Sequence, residues 1–172
     1  SRGLGDVYKR QVHMPLSNCE VGGGIAPIPE LLEKDVCISL GSDGYINDMF
    51  EVMRGAFLIH KARLQDPGTM RADQVFEMAT LQGAKALGLE NVGTLEPGFV
   101  ADLQLIDANF PTPLSEENLI EQVILHRSGN HVDSVMIDGK WKLRNGEILG
   151  VDLEKQRESV HRQAKRLWGK NE

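Results

Sequence analysis

The run Val36-Cys37-Ile38-Ser39-Leu40 constrains the fold more than any other stretch of the chain. It is almost continuously apolar, carries β-branched residues and stops at Gly41. A strand without polar alternation has to be covered on both faces, which is the habit of parallel sheets. Upstream, Val12-His13-Met14-Pro15 reads as the tail of a second strand, halted by its proline. Gly22-Gly23-Gly24 then makes a flexible loop, and a short helix is expected over Glu30 to Lys34. Pro29 suits the start of that helix, where its missing N–H is no loss. Strand, loop, helix, strand is the grammar of an α/β fold.

Two further helices are expected. Between about Asn47 and Leu64, Phe50, Met53, Phe57 and Ile59 fall on or near one face, and Asp66-Pro67-Gly68 breaks the helix. A single helix from Ala72 to Leu87 would align Phe76, Ala79, Gly83 and Ala86, with Gly88 as its stop. The small residues on that stripe imply a close neighbour.

The pattern changes after Gly93. Val100 to Ile106 reads as a strand entered through Glu96-Pro97-Gly98; Pro111 and Pro113 mark a loop, and Glu116 to His126 a short helix. Val132 to Ile137 and Lys140 to Leu143 flank Asp138-Gly139, a strong hairpin signal. Asn145-Gly146 turns the chain again before Glu147-Ile148-Leu149, so a small antiparallel unit is expected here. A helix over Asp152 to Trp168 closes the chain, with early acids and late bases that complement its dipole.

Composition excludes several classes of function. A net charge of −6 argues against nucleic acid or an anionic membrane as partner. The chain is 41% hydrophobic and 26% charged, enough apolar material for a core and too even a mixture for a disordered tail. No apolar run has the length of a membrane span. Cys19 and Cys37 are too few for a disulfide framework and lack zinc-site spacing, which suits a reducing cytoplasm. Residues 1–11 carry no periodicity, and Asp6 to Gln11 looks like the translation of a sequencing-library adapter. The natural chain is expected to begin near Val12, inside a larger gene.

The chemistry centres on Gly41-Ser42-Asp43-Gly44 at the end of the apolar strand. In α/β barrels the C-terminal ends of the strands present the catalytic groups. A carboxylate there can ligate a cation and accept a proton from activated water. Taken alone, Asp-Gly after a strand is more often a simple turn. His13 alone reads as a satisfied core or surface histidine.

Three features in order strengthen the functional reading. They are His13-Met14-Pro15-Leu16-Ser17-Asn18 with Gly24-Ile25-Ala26-Pro27-Ile28-Pro29-Glu30-Leu31, then Ser39-Leu40-Gly41-Ser42-Asp43-Gly44, then Thr80-Leu81-Gln82-Gly83-Ala84-Lys85-Ala86-Leu87-Gly88 leading to Gly93-Thr94-Leu95-Glu96-Pro97-Gly98. Together they resemble the last third of the amidohydrolase superfamily. The nearest branch holds cytosine, guanine and adenosine-type deaminases and triazine chlorohydrolases. Tyr45-Ile46-Asn47-Asp48-Met49-Phe50-Glu51 looks most like its SsnA-type aminohydrolase members.

That resemblance implies the C-terminal portion of a (β/α)₈ TIM barrel over residues 12–92. Part of a small composite antiparallel β-sandwich domain follows over 93–150, and a C-terminal helix over 151–172. It implies that Asp43 is both catalytic and a metal ligand, moving a proton from the attacking water to the leaving nitrogen. It implies that His13 borders the substrate pocket at the top of strand seven. Met14 stands where relatives usually carry Asn, and Ser42 where Thr is common. Ser17 and Asn18 are expected to fix a loop, and Asp102 and Asp138 to be structural.

The implied cofactor is one divalent ion, Zn²⁺ or Fe²⁺, with most ligands outside this chain. None of His13, His60, His126, His131 and His161 forms the His-x-His pair such a site needs. A barrel takes about 250 residues; about two of its units fit before Gly93, so this chain alone is expected to be inactive. The implied partner is a small molecule, an aminated heterocycle, and a homo-oligomer of the full-length enzyme is left open. Two readings compete with deamination: dechlorination of a triazine-like ring at the same site, and a non-catalytic scaffold.

Overall fold

The structure, a computed structural model, describes residues 10–169. In chain order the elements are β1 (Arg10–His13), α1 (Pro15–Glu20), α2 (Ile28–Leu32), β2 (Cys37–Leu40), α3 (Met49–Leu64), α4 (Ala72–Ala79) and α5 (Leu81–Leu87). They continue as β3 (Leu103–Ile106), α6 (Leu119–His126), β4 (Val132–Ile137), β5 (Lys140–Arg144), β6 (Glu147–Ile148) and α7 (Leu153–Trp168).

β1 and β2 pair in parallel, Arg10 opposite Cys37 and His13 opposite Leu40. The expected βαβ unit is therefore present. β1 starts at Arg10, so Arg10 and Gln11 of the segment read as foreign are paired in the sheet; residues 1–9 lie outside the described residues. Pro15 does not end the ordered structure after β1. It occupies the first turn of α1, where a proline is pre-shaped for helix.

The main core lies on one side of this pair. Ile38 of β2, Phe50, Met53, Ala56 and Phe57 of α3, and Val75 and Met78 of α4 share one buried cluster. The expected helix over 72–87 is in fact two. Thr80 leaves helical geometry at φ −122° and ψ −91° and joins α4 to α5. Val75 and Met78 in α4 and Ala84 in α5 are the buried positions, while Phe76 and Ala79 of the expected stripe pack partly buried against the same core. α5 then crosses the starting ends of the strands, with the Cys37 thiol 3.4 Å from Gln82 Oε1 and Arg10 Nη1 3.5 Å from the Ala86 carbonyl.

β3 to β6 form a four-stranded antiparallel sheet in sequential order. Its two tight turns follow their sequence signals, with positive φ at Asp138 and Gly139 and again at Asn145 and Gly146, as two-residue hairpins require. α6 belongs elsewhere: Val123 and Ile124 enter the helical core, and Arg54 of α3 donates to the carbonyls of Ile124 and Arg127 at 3.1 and 2.6 Å. No helix among the described residues is long and apolar enough to cross a membrane.

Candidate active site

Asp43 lies in the loop that leaves β2 at its C-terminal end. Gly41 still pairs with β1, its N–H donating to the His13 carbonyl at 3.0 Å. A Cβ there would lie 2.8 Å from Val12 Cγ1, so any larger residue would have to push the Val12 side chain aside. The chain then turns over Ser42 to Tyr45, the Tyr45 N–H donating to the Ser42 carbonyl. Asp43 takes φ +54° and Gly44 φ +70°. Left-handed backbone is tolerated by Asp and free for Gly. The Ser42 hydroxyl secures the loop from below through Asn47 Oδ1 at 3.1 Å.

The Asp43 side chain is exposed, yet one oxygen is held. Ser17 Oγ, buried on α1, donates to Asp43 Oδ2 at 2.8 Å. Ser17 was expected to fix a loop; it stands on a helix and reaches the carboxylate. The missed signal was the proline two residues earlier, which reads as a helix start as readily as a strand stop.

His13 and Asp43 sit at the same end of a parallel pair, as expected of neighbouring barrel strands, but their side chains part company. Successive strand residues face opposite sides. Ile38 faces the helical core, so Leu40 and its partner His13 do as well. The His13 ring is 3% exposed and meets His60 of α3, which is fully buried, with 3.0 Å between the two Nε2 atoms. One ring must donate and the other accept, so the accepting ring is neutral. Burial, reinforced by the neighbouring His60, pushes His13 down to about 4. Burial, reinforced by the Arg63 guanidinium and opposed by Glu30, pushes His60 down to about 4. His60 forms no His-x-His pair, yet it continues the buried spacing of Met53, Ala56 and Phe57. A polar residue on an apolar stripe asks for a buried partner.

Among the described residues no three His, Cys, Asp or Glu side chains converge to hold an ion. Asp43 fits a cation site as one ligand: an exposed carboxylate at a strand end, with one oxygen pinned and Oδ1 without a hydrogen-bond partner among these residues. Asp102 contrasts with it. Its Oδ1 accepts the Asp138 N–H at 2.7 Å and ties the β4–β5 turn to the entry of β3.

The sequence model of the amidohydrolase family matches residues 3–142. The chain belongs to the amidohydrolase family. The 5'-deoxyadenosine deaminase of Methanococcus aeolicus is 40% identical to this amidohydrolase over 159 residues, 90% of this chain and 37% of that protein. A 5-methylthioadenosine/S-adenosylhomocysteine deaminase of Pelotomaculum thermopropionicum is 38% identical over the same shares. Among solved structures, an adenosine deaminase from Xanthomonas campestris with bound zinc matches with TM-score 0.83 and 31% identity, over 90% of this chain and 36% of that one. Atrazine chlorohydrolase from Arthrobacter aurescens, in complex with zinc, matches with TM-score 0.71 over 88% of this chain and 35% of that one. At 23% identity that likeness is one of fold. This amidohydrolase chain spans little more than a third of the relatives it matches.

Proposed function

We propose that this chain is the C-terminal part of a metal-dependent aminohydrolase that deaminates an adenosine-type purine nucleoside. The observation that carries the reading is Asp43: an exposed carboxylate at the C-terminal end of a buried parallel strand, with one oxygen fixed by Ser17. The deaminase names of the relatives that share 38–40% of their residues with it support the substrate class. Zinc in the Xanthomonas structure supports the metal. Residues 12–92 are read as the end of the barrel and 93–150 as part of a composite β domain, with α6 packed back on the barrel helices. Residues 151–172 are read as an appended helix.

A divalent cation at Asp43 would supply Lewis acidity, bringing the pKa of water at the site to about 7. Asp43 offers it one carboxylate oxygen. Asp43 is also the base that takes the proton of the attacking water and returns it to the departing amine, so that water and the amine give the carbonyl product and ammonia. Ser17 holds the carboxylate in place. His13, buried and neutral, backs the pocket wall through its backbone and its bond to His60. The remaining ligands belong to the part of the enzyme outside this chain, so the chain alone would hydrolyse nothing. The free thiols of Cys19 and Cys37 suit a cytoplasmic enzyme.

The test is the full-length protein, assayed for ammonia release from 5'-deoxyadenosine, methylthioadenosine and guanine, and for chloride release from a chlorinated triazine. Purine-nucleoside deamination that is abolished by chelation and restored by zinc is expected. Chloride release instead would favour the chlorohydrolase reading, and no turnover at all the scaffold.

A further inference from the structure

Asp43 stands on an exposed turn in left-handed backbone, a poor platform for a group that has to act at a fixed point. What holds it comes from α1. Ser17 is 7% exposed, and its hydroxyl reaches Asp43 Oδ2 across 26 residues of sequence at 2.8 Å. α1 itself is clamped. It begins two residues after His13, whose ring is locked to His60 of α3. It also lies close on α3 at Gly55, where a Cβ would come within 2.7 Å of Leu16 Cδ2 and 3.4 Å of Pro15 Cγ. The residues on either side of the clamp, Leu16 and His13, are thus held by one helix, and Ser17 follows immediately. The hydroxyl stands on a packed helix, and the carboxylate it grips stands on an exposed turn.

We propose that Ser17 is the positioning residue of the site: its buried hydroxyl, carried on α1 and seated by Gly55, holds one Asp43 oxygen so that the carboxylate offers the other, Oδ1, to a divalent cation. This inference rests on the reading of Asp43 as a metal ligand. A hydroxyl donor behind a ligating carboxylate orients it, and removing such a partner typically weakens metal affinity or activity about 10- to 100-fold.

The experiment uses the full-length protein, stripped of metal, with zinc affinity measured by competition against a fluorescent chelator and kcat and KM measured separately. Ser17→Ala should lose zinc affinity about 10- to 100-fold and lower kcat, with KM for 5'-deoxyadenosine little changed. Ser17→Thr, which keeps the hydroxyl, should recover both. Gly55→Ala, which lifts α1 off α3, should resemble Ser17→Ala. Wild-type zinc affinity and kcat in folded Ser17→Ala would overturn the proposal. Should Ser17→Ala not fold, Ser17→Cys, nearly isosteric with a weak donor, decides by the same readout: full zinc affinity overturns, a loss supports. Asp43→Asn separates the two levels. Unchanged zinc affinity in that variant sinks the reading of Asp43 itself. Weakened affinity there with normal affinity in Ser17→Ala sinks only the role of Ser17.

Discussion

The two halves of this amidohydrolase chain solve different problems. In the parallel pair and its helices, strand and helix side chains interlock: Ile38 and Val75 are fully buried, and Ala56 between them is too. In the antiparallel sheet several apolar side chains stay half-open, with Leu105 50%, Ile137 47% and Ile148 46% exposed. No residue of α7 is buried. A functional group needs the first kind of surroundings, because only an over-packed shell holds side chains to the tolerance that chemistry demands. Asp43, Ser17, His13 and His60 all belong to the packed half. The carboxylates of the sheet, Asp102 and Asp138, serve its turns.

The sharpest way to break that contrast is to treat the two aspartates alike. In the full-length protein Asp43→Asn should lower kcat by about 10²–10⁴-fold or more, because under the proposed function a general acid–base group and a charged ligand are lost together. Asp102→Asn keeps an acceptor for the Asp138 N–H and should leave the turnover of folded enzyme near normal. Steady-state kinetics with metal content determined on both variants would show it, and equal defects would erase the distinction between the halves.

Packing provides the next comparison. Ile38→Ala removes a fully buried side chain and should destabilise by about 2–5 kcal/mol. Ile148→Ala, half-exposed here, should cost less than about 1 kcal/mol. Denaturant midpoints of both variants in the full-length protein test this. An equal cost at Ile148 would show that another part of the full-length protein covers that side chain, as the proposed composite β domain would.

The smallest effect concerns acid. His13 and His60 are held at about 4 in the fold against 6.5 when free, so the unfolded chain binds protons first as pH falls. The pair therefore favours the fold fully above pH 6.5, and that advantage drains away between about 6.5 and 4. The slope is up to about 1.4 kcal/mol per pH unit for each imidazole. Urea midpoints at a series of pH values should show this slope in the wild type and a shallower one in His60→Gln. Identical slopes would mean that other groups govern acid stability.

Much of this was legible in the chain. The apolar run from Val36 to Leu40 announced a buried parallel strand, Asp138-Gly139 and Asn145-Gly146 announced their turns, and Gly41-Ser42-Asp43-Gly44 marked the strand end on which the proposed chemistry rests. These signals are local: a turn type, a pleat with no polar face and a cap each depend on a few neighbouring residues. Long-range packing decided the rest. Whether residues 72–87 form one helix or two depended on what each half packs against, and Thr80 is where α4 leaves the helical core and α5 turns to the strand starts. Ser17 gained its partner from a turn 26 residues away, and His13 and His60 found each other across 47. Side-chain spacing ranks such residues as polar or buried, but only the packing of α1 and β1 against α3 determines which atoms they meet.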